Sequence, residues 1–245
     1  MLQDVIRVDG RKPNELRPHS IEIYPLAFPP GSAIIQCGVT KVLCAASIQE
    51  GVPKFLEGTG QGWLTAEYSM LPASTQTRTP RESHTGRLQG RTQEIQRLIG
   101  RSLRAAVKLD QIGEITIIVD CDVLQADGGT RTASITGGYV ATVLALRKIF
   151  PDTYRDLVSP VAAVSVGIVN GTPMLDLNYA EDSTADTDLN VVKNHLGDYI
   201  EIQATAERVS FSREELDAML SLADKGIAEL MESQSKVLSS LDLPE

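Results

Sequence analysis

Runs suited to strands give way to runs suited to helices, and this order comes round twice before the chain ends; no other feature narrows the fold as far. In the first half, alternating or β-branched stretches at 20–25, 32–38, 41–48 and 64–70 read as strands of one sheet, separated by Pro-Pro-Gly and Gly-rich turns. The segment 51–62 is a loop by its proline and repeated glycines. Residues 72–89, rich in Thr, Ser, Arg and Gly, show no periodicity and read as a long, mobile loop, a length that usually serves function. A helix is expected from near Arg91. At the helical period Ile95, Leu98, Ile99, Ser102 and Ala106 share one face, and Arg97, Arg101, Arg104 and Lys108 gather on the other. Residues 114–124 read as a buried strand. After the turn Asp127-Gly128-Gly129-Thr130-Arg131, a small-residue apolar helix runs to about Lys148.

The second half lies beyond a connector at 149–160 with two prolines. Strands are expected at 161–169, 174–177 and 200–206, with an acidic turn at 181–188. The last helix is the best marked. Ser212 as N-cap and Glu215 at the third helical position form a capping box, and Phe211 with Leu216 forms a hydrophobic staple, for a helix running to about Leu238. Strands followed by helices, twice, predict a two-layer α+β fold. It is read as one domain over 1–245 in two similar halves, 1–150 and 151–245, although the residues show no close internal repeat.

Hydrophobic content of 42% and charged content of 22% suit a globular chain with a sizeable core. Cys37, Cys44 and Cys121 are odd in number and lack the spacing of a zinc site; Cys37 and Cys44 read as small buried hydrophobes, and a reducing cytoplasm fits. Met1-Leu2-Gln3-Asp4 lacks the basic end and apolar run of a signal peptide, and no stretch approaches a membrane span. A net charge of −9 argues against nucleic acid as a partner, but the average hides a segregation. From Arg78 to Lys108 eight basic residues stand against Glu82 and Glu94, a window of +6 in an otherwise acidic chain.

Four groups could bind a ligand or do chemistry. The turn Gly128-Gly129-Thr130-Arg131 joins a strand to a helix, where free N–H groups, close backbone approach, a hydroxyl and a guanidinium fork suit an anion. The same residues also suit an ordinary turn with a structural arginine. Arg91 falls in the apolar sector of its helix, and an inward arginine needs an anion, either a ligand or a protein carboxylate. Glu181, Asp182, Asp186 and Asp188 gather carboxylates as a Mg²⁺ site does, or as a solvated turn does. The basic stripe Arg97/Arg101/Arg104 and the loop arginines fit an RNA backbone and equally a salt-bridged contact surface. Aromatic content of 4% leaves base stacking a minor role. His19, His84 and His195 fall in no motif.

Long stretches, in order along most of the chain, resemble bacterial ribonuclease PH, a family related to polynucleotide phosphorylase and to exosome ring subunits. They are RVDGR at 7–11, GVTKVLCAASIQEG at 38–51, GQGWLTAEYSMLP at 60–72, GRTQEIQRLIGRSLRAA at 90–106, DCDVLQADGGTRTASITG at 120–137, VAAVSVGIVNG at 161–171 and the segment 175–192. The resemblance implies a fold like the second domain of ribosomal protein S5 and a cytoplasmic homohexamer, a trimer of dimers. It implies a phosphorolytic 3′→5′ exoribonuclease that trims tRNA precursors and other RNA 3′ ends. In that family inorganic phosphate is held at positions matching Arg91, Gly129, Thr130 and Arg131. The catalytic carboxylates, linked to Mg²⁺, match Asp182 and Asp188. Three loop arginines grip tRNA in these relatives. Here Arg78 and Arg81 remain but Ala73 replaces the first, which predicts a weaker grip unless Arg87 or a neighbouring subunit supplies the cation. The alternative implied by the same relatives is a non-catalytic RNA-binding ring subunit, which would have lost the Gly-Thr-Arg or the aspartate pair; this chain keeps both.

Overall fold

The first half builds one sheet from β1 (His19–Ile23), β2 (Gly31–Cys37), β3 (Thr40–Glu50), β4 (Trp63–Met70) and β5 (Ile115–Gln125), in the order β1-β2-β3-β5-β4. The computed structural model describes residues 7–242, so the opening Met1-Leu2-Gln3-Asp4 lies outside it. Strands β1 to β3 are antiparallel neighbours, whereas β4 lies parallel to β5, because α1 (Gly90–Arg104) carries the chain back between them. Helix α1 buries Ile95, Leu98, Ile99 and Ser102 of the face its spacing predicts, and Leu103 beside them.

Helix α2 (Thr130–Ile149) is buried from Thr132 to Leu146 and lies against both sheets of the molecule. A helix apolar on every side has to be interior, and its small residues let neighbours come close. A Cβ on Gly137 would stand 2.8 Å from Ile35 Cγ2 and 3.0 Å from Cys44 Sγ, so β2 and β3 pack directly on the helix backbone there. Its buried hydroxyls return hydrogen bonds to the preceding turn, Ser134 to Thr130 O and Thr142 to Gly138 O, each 2.8 Å. Cys37 and Cys44 are buried, as expected, and so is Cys121.

After the short α3 (Tyr154–Leu157), the second sheet comprises β6 (Val161–Val169), β7 (Thr172–Leu175), β8 (Thr187–Asn194) and β9 (Tyr199–Ala206), antiparallel in the order β7-β6-β8-β9, with the one-turn helix α4 (Tyr179–Asp182) between β7 and β8. Strand β6 is buried on both faces. Val161 and Ala163 join the core around α2, while Ala162, Val164, Val166 and Ile168 pack against Met219, Ala223, Ile227 and Leu230 of α5 (Arg213–Ser239). Ser212 and Glu215 form the expected capping box, and Phe211 and Leu216 pack against that second core. Among the described residues no helix is long and apolar enough to cross a membrane.

Two sequence expectations fail here. The acidic segment 181–188 is not a plain turn, since it completes α4 and begins β8, a strand that the residues did not announce. Strand β8 sits inside its sheet between β6 and β9, and its polar Asn190 and Lys193 are buried, which breaks the apolar alternation a sequence reading depends on. The long loop 72–89 is also more anchored than its composition suggests. Ser74 is buried, its carbonyl accepts Ala126 N–H, and Glu82 accepts from Thr92 Oγ1 at 2.6 Å and Gln89 N at 3.2 Å.

Candidate active site

Strand β5 delivers the chain to residues 126–129, where Gly128 (φ 77°) and Gly129 (φ 67°) adopt left-handed backbone. A Cβ on Gly128 would stand 2.5 Å from Leu177 O, so the turn is pressed against the chain leaving β7. Gly129 is the N-cap of α2 and offers no side chain to the helix's first N–H groups. Those donors and the positive end of the helix dipole are therefore available to an anion.

The turn is fastened from behind by Arg17, which the sequence reading passed over. This buried guanidinium donates to Asp127 O at 2.5 Å and Gly128 O at 3.4 Å, and pairs with Asp176 through Nε–Oδ2 (3.0 Å) and Nη2–Oδ1 (2.6 Å). Thr40 closes the other side, donating from Oγ1 to Gly128 O at 2.8 Å and accepting Asp127 N–H at 2.9 Å. Burial alone would raise the Asp176 carboxyl, but Arg17 and Arg11 hold it below its ordinary value. The segment matched at 7–11 serves the same region. Arg7 clamps Glu181 (Nε–Oε1 2.8 Å) and Leu175 O (2.6 Å), and Arg11 reaches Asp176 O at 3.0 Å. Glu181 is therefore a buried structural partner and leaves the set of candidate metal ligands.

Around this scaffold the expected residues converge. The Thr130 hydroxyl meets Tyr68 OH at 2.8 Å. Burial raises the Tyr68 phenol while the charges of Arg91 and Arg131 act to lower it, which places both arginines near that ring. Arg131 Nη1 donates to Gln203 Oε1 at 2.9 Å and lies 3.6 Å from Glu94. Arg91 is exposed, contrary to the inward orientation expected. A helical projection gives direction around the axis but not how far the core extends along it, and here the buried face begins at Thr92 and Ile95. Exposed as it is, Arg91 acts electrostatically on Asp182, as do Arg131 and Arg17.

Asp182 ends α4 and Asp188 lies in β8. Burial is the main influence raising each carboxyl; for Asp188 burial and then the charge of Asp182 push it up to about 6, against the pull of Arg131 and a hydrogen bond from Asn190 (3.2 Å). Glu207 also raises both, so a third carboxylate looks onto the pair. Two desolvated carboxylates that repel each other fit Mg²⁺, which takes one or two such ligands together with substrate phosphates. Among the described residues no group of three or more His, Cys, Asp and Glu surrounds a metal position.

The basic window divides. Arg78, Arg81 and Arg87 are exposed on the loop before α1, and the charge of Arg81 reaches Asp122. Two members of the helical stripe are engaged within the chain. Arg101 forks onto Glu201 with two 2.7 Å bonds, and Arg104 donates to Leu64 O at 2.9 Å beneath the Trp63 ring, 4.5 Å from its centroid. Arg17, Asp176, Tyr68, Gln203 and Glu94 were missed as site residues. Tyr68, Glu94 and Asp176 lie in segments that carry the family resemblance, whereas Arg17 and Gln203 lie outside them.

A sheet-enclosed helix that opens on an anion-ready glycine turn, near arginines and two interacting aspartates, is an arrangement suited to handling a phosphoryl group. Sequence models of the 3′ exoribonuclease family match the chain over residues 15–148 (domain 1) and 159–226 (domain 2), and the chain belongs to that family. Within it, the chain is 58% identical to ribonuclease PH of Crocosphaera subtropica over 236 residues, covering 95% of this chain and 98% of that protein. It is 53% identical to ribonuclease PH of Neisseria meningitidis serogroup C over 242 residues, covering 98% and 100%. Among solved structures, the Archaeoglobus fulgidus exosome with RNA bound to the active site superposes with TM-score 0.79 at 22% identity, covering 94% of this chain and 93% of that one. Rice Rrp46 gives 0.76 at 22% identity, covering 95% and 100%. At that identity these two likenesses speak for the fold alone.

Proposed function

We propose that Arg91, Arg131, Thr130 and the first N–H groups of α2 hold the inorganic phosphate that attacks the 3′-terminal phosphodiester of RNA, opposite Asp182 and Asp188. The chain is a phosphorolytic 3′→5′ exoribonuclease of the ribonuclease PH kind, an assignment that rests on more than half identity over nearly the full length. An oxygen of phosphate forms the new bond to phosphorus, and the bond from phosphorus to the 3′ oxygen of the preceding nucleotide breaks. That oxygen takes up a proton as the shortened RNA leaves, and the terminal residue departs as a nucleoside 5′-diphosphate. Bringing a phosphate dianion to a phosphodiester concentrates negative charge, so the protein's main task is alignment and charge offset. Mg²⁺ held by Asp182 and Asp188 would add positive charge at the phosphoryl oxygens. Substrates are RNA 3′ ends, tRNA precursors in the first instance, gripped by Arg78, Arg81 and Arg87, in a cytoplasmic homohexamer built as a trimer of dimers.

The observation that carries the site is the convergence of Arg91 and Arg131 on Asp182 from separate helices, with Arg131 acting on Asp188 as well. The test is trimming of a labelled RNA with phosphate titrated from zero, scoring diphosphate against monophosphate, for the parent, Arg91→Ala and Arg131→Ala. Phosphate-dependent diphosphate release, with KM for phosphate raised at least about tenfold in each variant, is the expected result. Monophosphate release without phosphate, or unaltered phosphate dependence in both variants, removes the proposal. No trimming under any condition would favour a non-catalytic ring subunit.

A further inference from the structure

Arg131 is held by more than one neighbour. Its Nη1 donates to Gln203 Oε1 at 2.9 Å, Gln203 Nε2 donates to Glu94 Oε1 at 2.7 Å, and that same carboxylate oxygen lies 3.6 Å from Arg131 Nη1. The three side chains close a triangle drawn from the first turn of α2, the strand β9 and the helix α1. A primary amide suits the middle place, because it accepts from a guanidinium with its oxygen and donates to a carboxylate with its nitrogen. A carboxylate there would face Glu94 directly, and a hydrocarbon would leave the arginine to find its own rotamer. Only one edge of the planar guanidinium is committed to the triangle, so Nε and Nη2 remain for an anion at the helix terminus.

Resting on the reading of Arg131 as a phosphate ligand, we infer that Gln203 is a positioning residue for the attacking phosphate, with Glu94 as its anchor. An arginine side chain has many rotamers to lose when it binds an anion, and an arginine already fixed loses fewer. Freed from the triangle, Arg131 has to be ordered by phosphate itself. Phosphate then binds about tenfold more weakly, which corresponds to about 1.4 kcal/mol. The RNA-gripping loop is not part of this arrangement, and its affinity stays as it was.

The triangle also joins the two family domains, since Arg131 and Glu94 belong to the first and Gln203 to the second. A merely structural rivet would affect melting temperature and kcat and leave the KM for phosphate unchanged. The full chain is compared with Gln203→Ala, Gln203→Glu, Glu94→Gln and the exchange Glu94→Gln with Gln203→Glu. Phosphorolysis of a synthetic RNA is measured across phosphate concentration with Mg²⁺ present, alongside the melting shift produced by phosphate alone and RNA binding by anisotropy. Gln203→Ala is expected to raise KM for phosphate about tenfold, with kcat at saturating phosphate within about twofold of the parent. Gln203→Glu is expected to be worse. The exchange restores the charge count and again sets a donor against an acceptor at each contact, with the bond between positions 94 and 203 reversed, and brings KM back to within about threefold. Unchanged KM in both Gln203 variants, a loss confined to kcat, or a defect that the exchange leaves uncorrected overturns the inference. Arg131→Ala separates the two levels. If it leaves phosphate dependence intact, the phosphate reading itself fails. If it destroys that dependence while Gln203 proves inert, only the positioning role fails.

Discussion

Replacing Asp188 with Asn is expected to make the metal-free protein more stable while abolishing turnover. The Asp188 carboxyl is raised from 3.8 to about 6, first by burial and then by Asp182. Between the unfolded value and pH 6 the folded chain therefore binds more protons than the unfolded chain, and stability falls as pH rises through that window. Above pH 6 the penalty is fully present; below about 4 it is gone. A shift of about two units corresponds to about 3 kcal/mol. Partial exposure and the hydrogen bond from Asn190 reduce what an amide recovers, which leaves about 1–3 kcal/mol. In a chain of this length each kcal/mol moves Tm by about 2–4 °C. The assay is calorimetric melting of parent and Asp188→Asn in chelator at pH 7.5, 6 and 4.5, with phosphorolysis measured separately in Mg²⁺. The gap should be widest at pH 7.5 and fall to about a third of that at 4.5. An Asp188→Asn protein that melts below the parent at pH 7.5, or a gap indifferent to pH, would refute the claim that this carboxylate is held against its own electrostatic preference.

Two further outcomes follow from the same geometry. Arg17→Met removes the partner of a buried Asp176 and the fastening of the Asp127-Gly128 carbonyls, so a loss of about 3–5 kcal/mol is expected by denaturant unfolding; with Asp176→Asn added, part of that loss should return. Arg78→Ala with Arg81→Ala should weaken RNA binding and flatten its salt dependence by up to about two units of slope, with KM for phosphate unchanged.

What could be read from the residues was local in character. The capping box at Ser212 and Glu215 lies within four consecutive residues, and the structure has it as read. The face of α1 and the strand-to-helix turn at Gly129 are likewise written within a few residues of themselves. The supports of the site are of another kind. Arg17 meets Asp176 across 159 positions, Gln203 meets Arg131 across 72, and Gln203 meets Glu94 across 109. No spacing rule links residues that meet only after folding. Strand β8 was missed for a related reason. A central strand with Asn190 and Lys193 buried in it obeys its neighbours rather than an alternation of its own. Arg91 was placed on the right helix and turned the wrong way, because periodicity does not tell where along the axis the core begins.

Helix α2 has no wet side from Thr132 to Leu146. Most helices carry a solvent face on which substitutions accumulate with little effect, a reservoir for neutral drift. The helix behind the Gly129 turn has none, and at Gly137 not even a methyl group fits without displacing Ile35. Variation among functional chains of this design is thereby channelled away from the rod that ends at the site and into exposed parts that surround it: the loop bearing Arg78 and Arg81 and the outer side of β9. A deep mutational scan should show α2 as a continuous intolerant block, and new RNA preferences should be reached without changing any of its buried residues.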